Sequence, residues 1–261
     1  MIAAAANAML LQANREVAVK IVVATCCALL ALSTIVRAET HALSIPGAAQ
    51  AVLAPSIQQQ LGGEEELLTA PVGTIETFGY SYRYIWKGSD PFTSTTGVTY
   101  KRLSEPGFFA EYKDYKEGDG YTRTSTVYLA AGGLLPLSEE GQKTEPDGTK
   151  GSLSGHLIEY DISGDLFPVA TGNEFEIATT TAHDGFEMRT KETCTVKHAL
   201  AASEVDTKLQ GRAFYVVCRL QVADEKGGQD YFYVEELGFF LPNFRPADCR
   251  ECSDYELTLA R

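Results

Sequence analysis

From Pro71 onward, apolar and polar residues alternate with a period of two over most of the chain. The clearest stretch is Gly211 to Pro242. Phe214, Val216, Cys218, Leu220 and Val222 share one face there, and Arg219 and Gln221 take the other. A polar turn carrying Gly227-Gly228 follows, and a second strand returns from Gln229 to Val234. Alternation bounded by turn residues is the signature of a half-buried antiparallel strand. Upstream, Phe78, Tyr80, Tyr82, Tyr84 and Trp86 occupy every second position, separated by small or polar residues. That spacing predicts a strand with one wholly aromatic face, either buried in a core or open as a shelf for a glycan or another apolar ligand. Further strands are predicted at Val98–Leu103, Phe108–Tyr115, Tyr121–Leu129, Leu157–Ile162, Phe175–Thr181, Phe186–Val196 and Tyr255–Leu259. Turns fall at Glu117–Gly120 and His183-Asp184-Gly185, and a loop is expected over Gly88–Gly97. Ser138–Gly155 is polar and glycine-rich and reads as a connector, and Ala199–Gln210 reads as a loop.

Two stretches start alike and end alike. Pro71-Val72-Gly73-Thr74-x3-Phe78 matches Pro168-Val169-Ala170-Thr171-x3-Phe175, and Tyr128-x4-Gly133-Leu134-Leu135-Pro136 resembles Tyr233-x4-Gly238-Phe239-Phe240-Leu241-Pro242. Residues 71–136 and 168–242 therefore read as two copies of one four-stranded unit. One such sheet exposes an apolar face that the other can cover. The expected fold is all-β: an antiparallel meander of two similar four-stranded halves, packed as a sandwich or flattened barrel.

Within the second half, Leu166-Phe167-Pro168-x3-Gly172-x2-Phe175, Gly211-x2-Phe214-x-Val216-x-Cys218 and Tyr231-x-Tyr233-x4-Gly238 form a pattern. It resembles that of exported, largely uncharacterised bacterial antiparallel β-proteins, and it covers about the last third of the chain. The resemblance implies an envelope location and an antiparallel β-fold, and it carries no catalytic residues.

The N-terminus reads as an address. Lys20 precedes the apolar run IVVATCCALLALSTIV, and Val36 and Ala38 are the small residues of a cleavage site before Glu39. Residues 1–38 are expected to be a secretory signal peptide, with a retained membrane anchor as the alternative. Residues 39–70 form a flexible or partly helical lead-in, for example over Ser56–Leu61, and residues 71–261 a single β domain with a C-terminal CxxC tail. No other segment is long and apolar enough to span a bilayer. The 261-residue chain has a formal net charge of −13, and without residues 1–38 it keeps 19 basic and 34 acidic residues. A surface this acidic repels phosphate backbones, which argues against nucleic acid as a partner.

Export implies an oxidising compartment, periplasmic or extracellular, and Cys194, Cys218, Cys249 and Cys252 remain there. An antiparallel register that opposes Cys194 with Cys218 also opposes Val196 with Val216 and His198 with Phe214, so both apolar faces agree. A Cys194–Cys218 disulfide is expected, leaving Cys249–Cys252 as a local pair in the tail. Redox catalysis by this CxxC lacks a βαβ context, and a zinc site from the four cysteines lacks the usual spacing. Gly151-Ser152-Leu153-Ser154-Gly155 has Leu153 where a nucleophile elbow needs its serine. The histidines His41, His156, His183 and His198 show no metal-ligand spacing, and the acid pairs Asp161/Asp165 and Asp224/Asp230 sit in or near turns without a calcium-loop pattern.

No catalytic residues, metal or cofactor are assigned. The sequence points to an exported, non-catalytic β-protein that binds an unknown small molecule or envelope protein. The candidate surface is a cleft between the halves lined by Tyr80, Tyr82, Tyr84, Trp86, Tyr231 and Tyr233. An envelope hydrolase using carboxylates gathered by folding, and a structural assembly domain, are the alternatives.

Overall fold

A computed structural model describes residues 54–63, 70–86, 92–104, 107–118, 120–222, 225–243 and 252–260. The signal peptide and its cleavage site, His41, Asp224 and Cys249 lie outside the described residues, as do the side chains of Trp86 and Cys252. The chain enters through α1 (Pro55–Gly63). Pro55 suits the first helical turn, and the glycines at 62 and 63 suit its end. Ile57 and Leu61, four residues apart and so on one face, are both buried in the core. Gln60 Nε2 donates to the Tyr160 carbonyl at 3.3 Å. The expected lead-in thus contributes a helix to the core.

Twelve antiparallel strands follow in one open sheet. They are β1 (Thr77–Trp86), β2 (Phe92–Arg102), β3 (Phe109–Glu117), β4 (Thr122–Ala130), β5 (Leu135–Thr144), β6 (Lys150–Gly164), β7 (Glu174–His183), β8 (Phe186–Ala201), β9 (Arg212–Val222), β10 (Glu225–Val234), β11 (Phe239–Pro242) and β12 (Cys252–Ala260). A short helical turn, α2 (Ala202–Val205), joins β8 to β9. Neighbours in the sheet are neighbours in the chain from β1 to β11, so the meander is continuous. β12 alone returns, to pair with β1 at the far edge. The all-β antiparallel expectation holds.

Several local expectations change. Ser138–Gly155 is a β5–β6 hairpin rather than a connector. Its strands are polar on both faces, which hides their period, while Asp147 Oδ1 accepts the Thr149 amide at 2.8 Å and stabilises the turn. β2 begins at Phe92, inside the expected loop. Gly227 and Gly228 lie in β10, paired with Leu220 and Arg219, not in the turn. β8 runs on to Ala201.

The sheet has to curl. Laid flat, its twelve strands separate β11 from β12 by about 53 Å at the usual inter-strand spacing. The ten residue steps from Pro242 to Cys252 reach at most about 34 Å. Ladder irregularities at Ser81/Arg83, Tyr128/Leu129, Leu157/Glu159 and Val196/His198 are positions where a strand bends. The curl brings β11 over β1–β3. Phe239 packs against Tyr100 at 4.5 Å, Phe109 at 4.9 Å and Phe78 at 5.1 Å between ring centroids. The next residue, Phe240, faces the other way, with its ring centroid 4.8 Å from Tyr233 and 5.9 Å from Phe175.

The core accordingly divides into two clusters. One gathers α1 with the inner faces of β6–β9, Tyr233 and Phe240; the other gathers β1–β3, Leu257 of β12 and the opposite side of β10 and β11. Gly133, with φ +98°, sits where any Cβ would lie 2.2 Å from the Phe239 ring. Arg102 locks the same seam, donating through Nη2 to the Leu237 carbonyl at 2.5 Å and lying 4.9 Å over the Phe109 ring.

Cys194 and Cys218 are bonded, as the register predicted, with their Cα atoms 4.1 Å apart. Val196 opposes Val216, but the irregularity that follows places His198 opposite Tyr215 and Ala199 opposite Phe214.

Phe239→Ala is expected to cost about 3–5 kcal/mol, because it opens a cavity shared by three other rings; urea unfolding followed by far-UV circular dichroism measures this. Cys194→Ser combined with Cys218→Ser is expected to cost about 3 kcal/mol by freeing the closed loop in the unfolded chain.

Candidate functional site

The strand register assembles a site on the inner face of the sheet, the side that carries both core clusters. Three cross-strand rows run from the core outward. The first is Tyr100, Glu111, Val127, Glu139, Gly155 and His183. The second is Tyr80, Val98, Lys113, Ser125, Gly141 and Leu153, and the third is Tyr82, Thr96, Tyr115, Arg123 and Lys143. The rows pass from aromatic and aliphatic positions toward hydroxyl and charged ones. This gradient arises because much of β3 to β5 carries polar side chains on both faces, while β1 and the first two rows of β2 carry apolar side chains inward.

A cavity of about 140 Å³ opens at the first row, where the two core clusters meet. Val127, Leu137, Leu157 and Met188 provide apolar walls, and Glu139, Thr181 and His183 provide polar ones. His183 Nε2 is 3.0 Å from Thr181 Oγ1, and its Nδ1 lies beside Gly155, where a Cβ would approach to 2.6 Å. Glu139 forms an ion pair with Arg123. A larger depression of about 610 Å³ crosses β3–β6. Its lining fits the outer face, as a trough between the rows Tyr112–Thr126–Glu140 and Asp114–Thr124–Gln142. It is open and polar, whereas the inner cavity is walled and apolar, as ligand sites usually are.

Two half-buried carboxyls stand beside tyrosines. Burial raises the Glu111 carboxyl above the ordinary carboxylate range, against a hydrogen bond from Tyr100 that works to lower it. Burial raises Glu192 likewise, although Tyr231 donates to it at 3.0 Å. Burial, then the adjacent Glu192, push the Tyr231 hydroxyl far up. Tyr100 is also raised, first by burial and then by Tyr80, whose hydroxyl oxygen lies 3.4 Å away. Tyr115 is pushed up to about 12, by burial and by its hydrogen bond to Glu117.

Of the six rings proposed from sequence, four divide between the clusters, and the side chain of Trp86 lies outside the described residues. Tyr80 is buried in one, with Tyr82 stacked on it at 6.2 Å, and Tyr84 is half-buried. Tyr233 is buried in the other, and Tyr231 packs against that cluster. Sequence reasoning missed Glu111, Arg123, Glu139, His183 and Met188, because neither their spacing nor their type marks them apart from solvated strand positions. Ser154 Oγ donates directly to Asp184 Oδ1 at 2.7 Å, on an exposed strand, without an intervening histidine. Glu192, Cys194 and Cys218 lie within 4.8 Å of one another, but their sulfurs are spent in the disulfide and offer no thiolate.

Among the described residues, no helix is long and apolar enough to cross a membrane. The class defined by fold and site is an open, curled antiparallel sheet with a walled cavity on its inner face. No protein-family model, curated protein or solved structure matches the chain.

A carboxyl with a raised folded pKa keeps its proton over a pH range where the unfolded chain has lost it. The folded state then binds more protons, and stability falls as pH rises through that window. Glu192→Gln keeps the acceptor for Tyr231 and removes the buried charge. It is expected to raise the urea midpoint at pH 7 and to leave it nearly unchanged at pH 4, flattening the pH profile of stability.

Proposed function

We propose that this is an exported, non-catalytic binding protein that holds a small molecule against the inner face of its curled sheet. The observation that carries the reading is the cavity between Val127, Leu137, Leu157 and Met188. Its volume equals about four or five water molecules at ~30 Å³ each, less than a typical whole ligand needs. The cavity therefore suits one end of a ligand that continues along the polar rows above it. The charged groups present favour binding over hydrolysis. Glu139 is neutralised by Arg123, Glu192 is capped by Tyr231 and Glu111 by Tyr100, so each acid is committed to its own partner.

Export rests on the apolar run ahead of Ala38, and recovery of a chain beginning at Glu39 from the extracytoplasmic fraction tests it. The two halves read as a duplicated unit. β1–β4 and β7–β10 are each led in by the Pro-Val-x-Thr-x3-Phe pattern, and each ends at a left-handed glycine, Gly133 at φ +98° and Gly238 at φ +57°. Within the fold they form one continuous sheet instead of two facing ones.

Native mass spectrometry of the exported protein is expected to show a bound small molecule. Met188→Trp, which fills the cavity from a half-buried position, is expected to remove that mass with little change in stability. Retention of the molecule by the Met188→Trp protein would place its site elsewhere.

A further inference from the structure

We infer that the cavity at the first row takes an uncharged hydrocarbon group of about six carbons, either a ring or the end of an alkyl chain. This inference rests on the reading of the inner face as a ligand site and names the chemistry of the part that enters. Size comes first. An apolar protein cavity of about 150 Å³ accepts one benzene-sized molecule, and this cavity measures about 140 Å³. It is also reachable. Leu137 and Leu157 are fully buried and form its floor, whereas Val127, His183 and Met188 are half-buried, so the lining is open to solvent on their side.

The walls decide the chemistry. Their polar groups are already engaged with one another. Glu139 is ion-paired with Arg123, and Thr181 Oγ1 and His183 Nε2 share a hydrogen bond of 3.0 Å. None of the lining residues carries a buried side-chain oxygen or nitrogen without a partner. A polar group entering here would give up its hydrogen bonds to water and find none to replace them. A hydrocarbon group gives up none. Water itself is poorly held, since an enclosed molecule needs roughly two to four polar partners. Met188 suits such an occupant, because its unbranched, polarisable side chain adapts to a chain and makes favourable contacts with a ring.

The apolar surface continues past the lining. The first row ends at Phe186, which opposes His183 across the β7–β8 hairpin. The Phe186 ring is 60 % exposed and stacks on the His183 imidazole, with centroids 5.1 Å apart and planes at 16°. An apolar ring left in water beside an apolar cavity extends the hydrocarbon surface outward, and gives the remainder of a longer ligand a face to lie on.

The test uses the full exported protein, refolded from urea so that any resident molecule is released, with isotope-labelled methionine methyls. After cleavage before Glu39, Met188 is the one methionine left in the chain, so its NMR signal reports on the cavity; Met188→Leu assigns that signal. Benzyl alcohol, n-hexanol and hexane-1,6-diol are titrated. The first two each offer a hydrocarbon end, whereas the diol carries a hydroxyl at both ends and must bury one. The expected result is a saturable shift of the Met188 methyl with benzyl alcohol, hexanol or both, and at least tenfold weaker binding of the diol. Met188→Trp, followed through the ligand signals, is expected to lose this binding. Tighter binding of benzyl alcohol assigns a ring, and tighter binding of hexanol an alkyl end. Diol binding equal to that of hexanol overturns the inference, yet leaves the cavity as a ligand site. Hydrocarbon binding that leaves the Met188 methyl unmoved overturns it by placing the site elsewhere. Failure of both hydrocarbons to bind overturns it as well. The broader reading then survives if native mass spectrometry shows a bound molecule that Met188→Trp removes, and falls too if it shows none.

Discussion

The structure depends on one two-residue step, Phe239 to Phe240. Successive side chains in a strand point to opposite faces, so these neighbours enter different clusters. Phe239 fills the space between Phe78, Tyr100 and Phe109, and Phe240 packs on Tyr233 and Phe175. A strand of four residues thereby has both faces buried, as do the adjoining ends of β9 and β10, where Ala213 and Val234 join one cluster and Phe214 and Tyr233 the other. Without it, the curl keeps only a few hydrogen bonds, such as the Thr74 amide to the Glu236 carbonyl and Lys208 Nζ to the Leu257 carbonyl, and loses its main apolar seam. Gly133 and Arg102 serve the same seam, the first by making room for the Phe239 ring and the second by tying β2 to the turn before β11.

The curl creates the site. Only a bent sheet brings Val127 of β4 and Met188 of β8 to the walls of one cavity, four strands apart along the ladder. The bend also shelters the polar residues of β3–β5. On a flat sheet Glu111, Ser125 and Glu139 would be solvated; on the inner face they are partly or wholly buried, and burial is what raises the Glu111 carboxyl. The apolar end of the inner face closes the protein, while its polar end carries the charged and hydroxyl side chains of β3–β5.

The disulfide works on a different part of the sheet. Cys194–Cys218 joins β8 to β9 inside the other cluster, next to Glu192 and its tyrosine partner. It secures the ladder leading to β10 and β11, and so supports the strand that carries Phe239 and Phe240.

Much was legible in the sequence because period-two alternation is a local property. The strands around Phe78–Trp86 and Phe214–Val222 follow from side chains that must take one face or the other, and the same parity paired Cys194 with Cys218. Parity failed where both faces are polar, so the β5–β6 hairpin read as a connector, and where an irregular step moved His198 from Phe214 to Tyr215. The site was beyond local reading. Tyr80 and Tyr233 read from sequence as lining one cleft, but they are buried in two different clusters, a division decided by the curl. Sequence by itself determined most of the strands and which of their side chains share a face, since both depend on neighbours two positions away. Tertiary structure decided that the sheet rolls until the Phe239 ring packs on Phe78, because that depends on the summed packing of many distant side chains.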